Sequence, residues 1–120
     1  MSLRKLCLFI LAATIAGFAT VASLIVQIKE YEVPTPRSRP HDPAFAPDGS
    51  LWYTGQGANK LGRLDPKTGE FKEYPLKTAH SGPHGLVEDK QGNIWYTGNT
   101  GALIGKLNPK SLPFTSVCHC

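Results

Sequence analysis

His41 and His84 are the residues best suited to chemistry in this chain of 120 residues, because each follows a proline and they stand 43 positions apart. An imidazole can donate a hydrogen bond, accept one, shuttle a proton or ligate a metal. Two uses fit a histidine that recurs at a fixed interval. It can face a substrate or metal as one of a ring of polar groups, or it can serve the repeating unit itself by bonding a neighbouring loop. Both are candidate substrate-binding residues on the first use. His80, in "KTAHSG", sits in a polar connector and reads as solvated. Glu88 and Asp89 are adjacent on a strand-like run, so they point to opposite faces and make no carboxylate pair. Cys118, His119 and Cys120 are consecutive, and three consecutive residues rarely supply three ligands to one tetrahedral ion. Cys7 lies in a leader, and the body of the chain has no cysteine, so a disulfide scaffold is excluded. No catalytic and no metal-ligating residue is assigned on these grounds.

The elements that must position the histidines follow from a repeat. At an offset of 43, residues 28–67 match residues 71–110 at 16 of 40 positions without a gap, which identifies repeated units before any residue-level argument. The shared residues include "KEY", "PH", a turn glycine, "WYTG" and "PK". Each unit reads as short strands. "DPAFA" and "GLVED" precede the turn signals "PDG" and "KQG"; "SLWYTG" and "NIWYTG" follow as aromatic strands; "KLGRLDP" and "LIGKLNP" form a third pair. "EFKEYPL" gives a fourth strand, matched upstream by "IKEYEVP". No segment shows apolar residues at helical spacing. The predicted fold is therefore all-β: about two four-stranded β-propeller blades, 28–70 and an incomplete 71–112. Trp52 and Trp95 are expected to pack between blades, and the histidines to stand near the channel mouth, just before each blade's innermost strand.

Ahead of the repeat, Arg4 and Lys5 precede an uncharged run from Leu6 to Val26. This reads as a signal peptide over residues 1–22, cleaved after Ala22, or as an uncleaved membrane anchor helix. Either sends the remainder out of the cytoplasm, secreted, periplasmic or anchored facing outward. Cleavage removes two of the thirteen basic residues and leaves eleven against nine acids. That balance, scattered rather than clustered, argues against nucleic-acid binding.

The run "PHGLVEDKQGNIWYTGNTGALIGKLNPK", with "KTGEFKEYPL" in the earlier unit, resembles the virginiamycin B lyase (streptogramin lyase) family. The resemblance implies a seven-bladed propeller with Mg²⁺ at its channel mouth. It also implies opening of a cyclic depsipeptide ester by elimination, with a histidine base and the metal stabilising the enolate. The family's catalytic residues belong to late blades, so none is carried over to this sequence and no cofactor is assigned to it. Two other classes share the blade pattern: a secreted propeller that only binds a ligand, and a Ca²⁺-dependent lactonase-like propeller.

The end of the chain departs from the repeat. "PKSLPFTSVCHC" lacks the turn glycine and the amphipathic strand of "PKTGEFKEYPL", so residues 113–120 read as an aberrant tail, from a frameshift or truncation, with a natural capping segment as the alternative. An incomplete propeller of this kind is expected to be inactive alone and to leave blade edges open to self-association.

Overall fold

The structure is a computed structural model that describes residues 25–111 and the backbone of residues 114–119. The leader and the side chains of Cys118–Cys120 lie outside the described residues. The chain divides into Met1–Glu30 and Tyr31–Cys120. Residues 25–30 of the first unit are exposed and without regular structure; the eight strands among the described residues belong to the second.

The strands are β1 (Pro40–Phe45), β2 (Leu51–Gly55), β3 (Lys60–Leu64), β4 (Phe71–Pro75), β5 (Pro83–Glu88), β6 (Ile94–Gly98), β7 (Leu103–Leu107) and β8 (Phe114–His119). They form two four-stranded sheets in the orders β1-β2-β3-β4 and β5-β6-β7-β8. Neighbours run antiparallel, as two propeller blades require.

Two expectations are corrected. Residues 28–33, read as a strand from "IKEYEVP", form none: the segment has no regular structure, and Tyr31 is held instead by its side chain, which donates to the Pro66 carbonyl at 2.8 Å and meets the Phe71 ring edge-on. Conversely, the tail that lost its strand pattern still supplies β8. Its backbone pairs with β7 across a register shift between Ile104 and Gly105. Ladder hydrogen bonds use main-chain groups that every residue except proline carries in full, so an unpatterned segment can complete a blade. The structural blades are therefore offset from the repeat by one strand.

The tight turns are built by glycine and aspartate. Gly49 and Gly92 have φ of 82° and 80°, a region in which a Cβ is strained. Asp48 closes the first turn by accepting from the Ser50 amide (2.8 Å) and hydroxyl (2.6 Å), and the Arg63 guanidinium donates to it at 2.9 Å. These bonds hold Asp48 at a pKa of about 2, led by the Ser50 hydroxyl. In the second blade Asp89 takes over, accepting from the Asn93 amide and side chain and from the Trp95 indole N–H at 2.7 Å.

Cross-strand pairs set the interior. Tyr53 lies opposite Gly62 and Tyr96 opposite Gly105. A Cβ on Gly62 would stand 1.9 Å from the Tyr53 ring, and one on Gly105 would stand 2.2 Å from Tyr96, so glycine makes room for each ring. Between the blades, Ala46, Trp52, Leu61 and Leu76 of the first meet Ile94, Tyr96, Leu103 and Leu107 of the second in one apolar core. Trp52 also stacks on Tyr74, with centroids 5.3 Å apart.

The repeat allows the covered face of the first blade to be compared with the same face of the second. Trp52 is 2% exposed, whereas Trp95 is only partly buried, under the Lys106 ammonium at 5.0 Å from its ring. Leu61 is 0% exposed and its counterpart Ile104 is 41%. Thr54 is buried and Thr97 exposed. Inter-blade packing is thus realised for Trp52, while Trp95 lines an open face with Val87 and Ile104. Polar groups show the same relation. Ser81 donates its hydroxyl (2.7 Å) and amide (2.9 Å) to Asn59 of the first blade. Ser38, its counterpart, is buried with no partner for its hydroxyl among the described residues.

Thr54 joins the blades, accepting from the Asp42 amide at 3.1 Å and donating to the His84 carbonyl at 2.7 Å. Thr54→Val keeps the shape and removes the partner of both groups at a partly buried place, so it is expected to cost about 1 kcal/mol in denaturant unfolding. Thr97→Val, at the exposed counterpart, is expected to cost less than about 0.5 kcal/mol. Acid acts on the turns. Because folding lowers the pKa of Asp48, its contribution is present above the unfolded value of about 4 and is lost as pH falls towards about 2. The thermal midpoint is expected to fall across that window, and less steeply in Asp48→Asn.

Candidate functional site

The candidate histidines stand at the start of β1 and β5, the strands through which the two sheets meet. Each strand carries a bulge at that point. Pro40 pairs with Gly55 and Pro43 with Tyr53, so β1 holds one extra residue across His41–Asp42. Pro83 and Leu86 pair with Gly98 and Tyr96 in the same way, across His84–Gly85. Bulges re-aim side chains. Here adjacent residues, which a regular strand would send to opposite faces, meet: His41 Nδ1 lies 2.7 Å from Asp42 Oδ1.

The two histidines, distant in sequence, are brought together. Their ring centroids are 3.9 Å apart with planes inclined by 42°. Asp42 reaches both, since its Oδ2 is 3.8 Å from His84 Nδ1. The three side chains are 41%, 42% and 35% exposed for His41, Asp42 and His84, open to solvent yet anchored. The anchor is Thr54, fully buried, whose hydroxyl holds the Asp42 amide and the His84 carbonyl. A Cβ at Gly85 would crowd the Thr97 hydroxyl at 3.3 Å and meet Asp42 Oδ2 at an ordinary 3.6 Å.

Asp42 and Thr54 are the residues that reading the sequence missed. Asp42 carried a signal, because the second unit has Gly85 at that position and the repeat marks the aspartate as a departure. Thr54 lay within the shared "WYTG" and looked like a strand residue. His80 is exposed, as read. Glu88 and Asp89 do not act as a pair: Asp89 caps its turn, while burial, then the charges of Asp48 and Asp89, raise the pKa of Glu88.

Two other polar places stand apart from the histidines. At the opposite end of β1, a cleft of about 520 Å³ lies between the first turns of the blades, with Asp48, Arg63, Lys72, Glu88 and Lys90 on its walls. Its charges are mixed: Arg63 pairs with Asp48, whereas Glu88 Oε2 is buried with no hydrogen-bond partner among the described residues. On the first blade, Lys60 donates to Glu73 (2.9 Å) and Thr35 (2.7 Å). Burial opposes the ionised form of Glu73, but the bonds from Thr35 and Lys60 outweigh it and lower its pKa. Burial first, then Glu73, raises the pKa of Tyr53.

His41, Asp42 and His84 are a group whose donor atoms all lie within 4.8 Å of one another. Two imidazole nitrogens and one carboxylate are not what Mg²⁺ selects, since that ion takes oxygen ligands and keeps several waters. The Mg²⁺ implied by the family resemblance therefore does not fit this group.

Comparison with known proteins points the same way as the repeat. The model of the virginiamycin B lyase family matches residues 11–107. A solved streptogramin B lyase is 42% identical with a TM-score of 0.71, covering 75% of this chain and 30% of that one. Selenomethionine-substituted virginiamycin B lyase from Staphylococcus aureus is 36% identical with a TM-score of 0.69, over the same shares. A catalytically inactive histidine-to-alanine variant of the Staphylococcus aureus enzyme, solved with quinupristin, is 34% identical with a TM-score of 0.70, covering 78% and 31%. No curated protein matches. The chain spans about three tenths of the length of these solved structures. With a family match over most of its length and two blades in the expected order, the chain belongs to the virginiamycin B lyase family.

Proposed function

We propose that these two blades are part of an exported propeller lyase that opens the ester of a cyclic depsipeptide by elimination, and that the 120-residue chain alone is inactive. The single observation that carries the reading is the repeat itself, whose strands and turns are 34–42% identical to streptogramin and virginiamycin B lyases. The open face formed by Trp95, Val87 and Ile104 supports the second part. It is the counterpart of a covered face, and a substrate channel needs a closed ring of blades.

In this reading the described residues bind and orient. His41 and His84 stand at the end of adjacent inner strands with exposed rings, placed to hydrogen-bond carbonyl groups of a peptide ring across the channel mouth. Proton abstraction α to the ester carbonyl, and the Mg²⁺ that would stabilise the resulting charge, belong to blades beyond these two. The leader of residues 1–22 takes the protein out of the cytoplasm, where a lyase of this kind would meet its substrate.

Elimination and hydrolysis differ in mass, because elimination linearises the ring without adding water. Quinupristin incubated with a longer protein containing these blades is expected to give a linear product of unchanged mass, and none with the 120-residue chain. A product heavier by one water, or no conversion by the longer protein, contradicts the reading. Export is checked separately: sequencing of the secreted protein is expected to begin at Ser23, while an intact leader in the membrane fraction indicates an anchor.

A further inference from the structure

We propose that His41, Asp42 and His84 bind a divalent transition-metal ion, with Zn²⁺ as the representative, at a site that bridges the two blades. The site uses the two histidines that the lyase reading sets at the channel mouth but does not require lyase activity, and it concerns an ion of different chemistry from Mg²⁺. Two imidazoles and a carboxylate form the donor set that suits Zn²⁺ and its first-row neighbours, leaving a coordination position open to solvent.

The geometry is close to what such an ion needs. Ligand atoms about 2.0–2.2 Å from a tetrahedral ion stand about 3.4 Å from each other. The three donors here already lie within 4.8 Å, and their exposed side chains can close that gap by rotation. The backbone under them is fixed. The buried Thr54 hydroxyl ties the amide of Asp42 to the carbonyl of His84, so the residues are held across the blade boundary by a bond that does not use their side chains. The bulges of β1 and β5 turn the side chains toward one another. Finally, the carboxylate is absent from the equivalent position of the second unit, which holds Gly85. The three-residue donor set therefore depends on Asp42 and is not reproduced by the second unit's own sequence.

The test is calorimetric titration of Zn²⁺ into the full chain with Cys7, Cys118 and Cys120 replaced by serine, which removes competing thiols. One ion per chain is expected, and a tenfold excess of Mg²⁺ is expected not to displace it. Asp42→Gly, which installs the residue of the second unit, is expected to weaken binding by about 10–100-fold, and His84→Gln by at least as much. Histidine ring resonances of the otherwise unsubstituted protein give a readout that does not depend on how the variants fold: those of His41 and His84 shift with Zn²⁺ and that of His80 does not. Absence of saturable binding, equal competition by Mg²⁺, or unchanged affinity in folded Asp42→Gly and His84→Gln overturns the proposal. So does a Zn²⁺-induced shift confined to His80 or His119.

Discussion

Burial of one blade's face against the next is the constraint on which everything else here depends. A single four-stranded sheet of five- and six-residue strands has little interior of its own and is marginal in water. Trp52 and Leu61 lose nearly all contact with solvent only because Ile94, Tyr96, Leu103 and Leu107 arrive from the second sheet. Complete burial of a leucine such as Leu61 contributes about 1.5–3 kcal/mol, so a handful of such residues decides whether the blades associate. Gly105, opposite Tyr96, belongs to the same constraint, since it lets that core ring lie over its own sheet.

That packing also creates the site. The two histidines come from different blades, and the inter-blade contact sets their rings 3.9 Å apart. Thr54 translates packing into position, because it is buried by the contact and uses its hydroxyl to join the two strands that carry the histidines. The bulges then do locally what the packing cannot, placing Asp42 beside His41 instead of on the opposite face of the strand.

Much of this was legible in the sequence. A gapless repeat with "WYTG" in both units marks strands, blade order and the pairing of His41 with His84 as repeated positions. The apolar runs around Trp52 and Trp95 mark faces to be covered, though not which of them is covered here: periodicity describes a residue's environment in a full array, and Trp95 lies at an open face. Two errors share one physical origin. Residues 28–33 look like a strand and are not one, while the tail looks unlike a strand and is one, because strands are made by partners as much as by side chains. The role of Asp42 was hidden in a bulge, which no alternation rule exposes.

The central claim is that two repeats pack so as to bring the histidines of successive blades into contact. A nuclear Overhauser measurement on histidine ring protons tests it most directly. Rings whose centroids lie 3.9 Å apart are expected to give strong cross-peaks between His41 and His84, and none between either and His80. Assigned ring signals for His41 and His84 with no cross-peak between them contradict it.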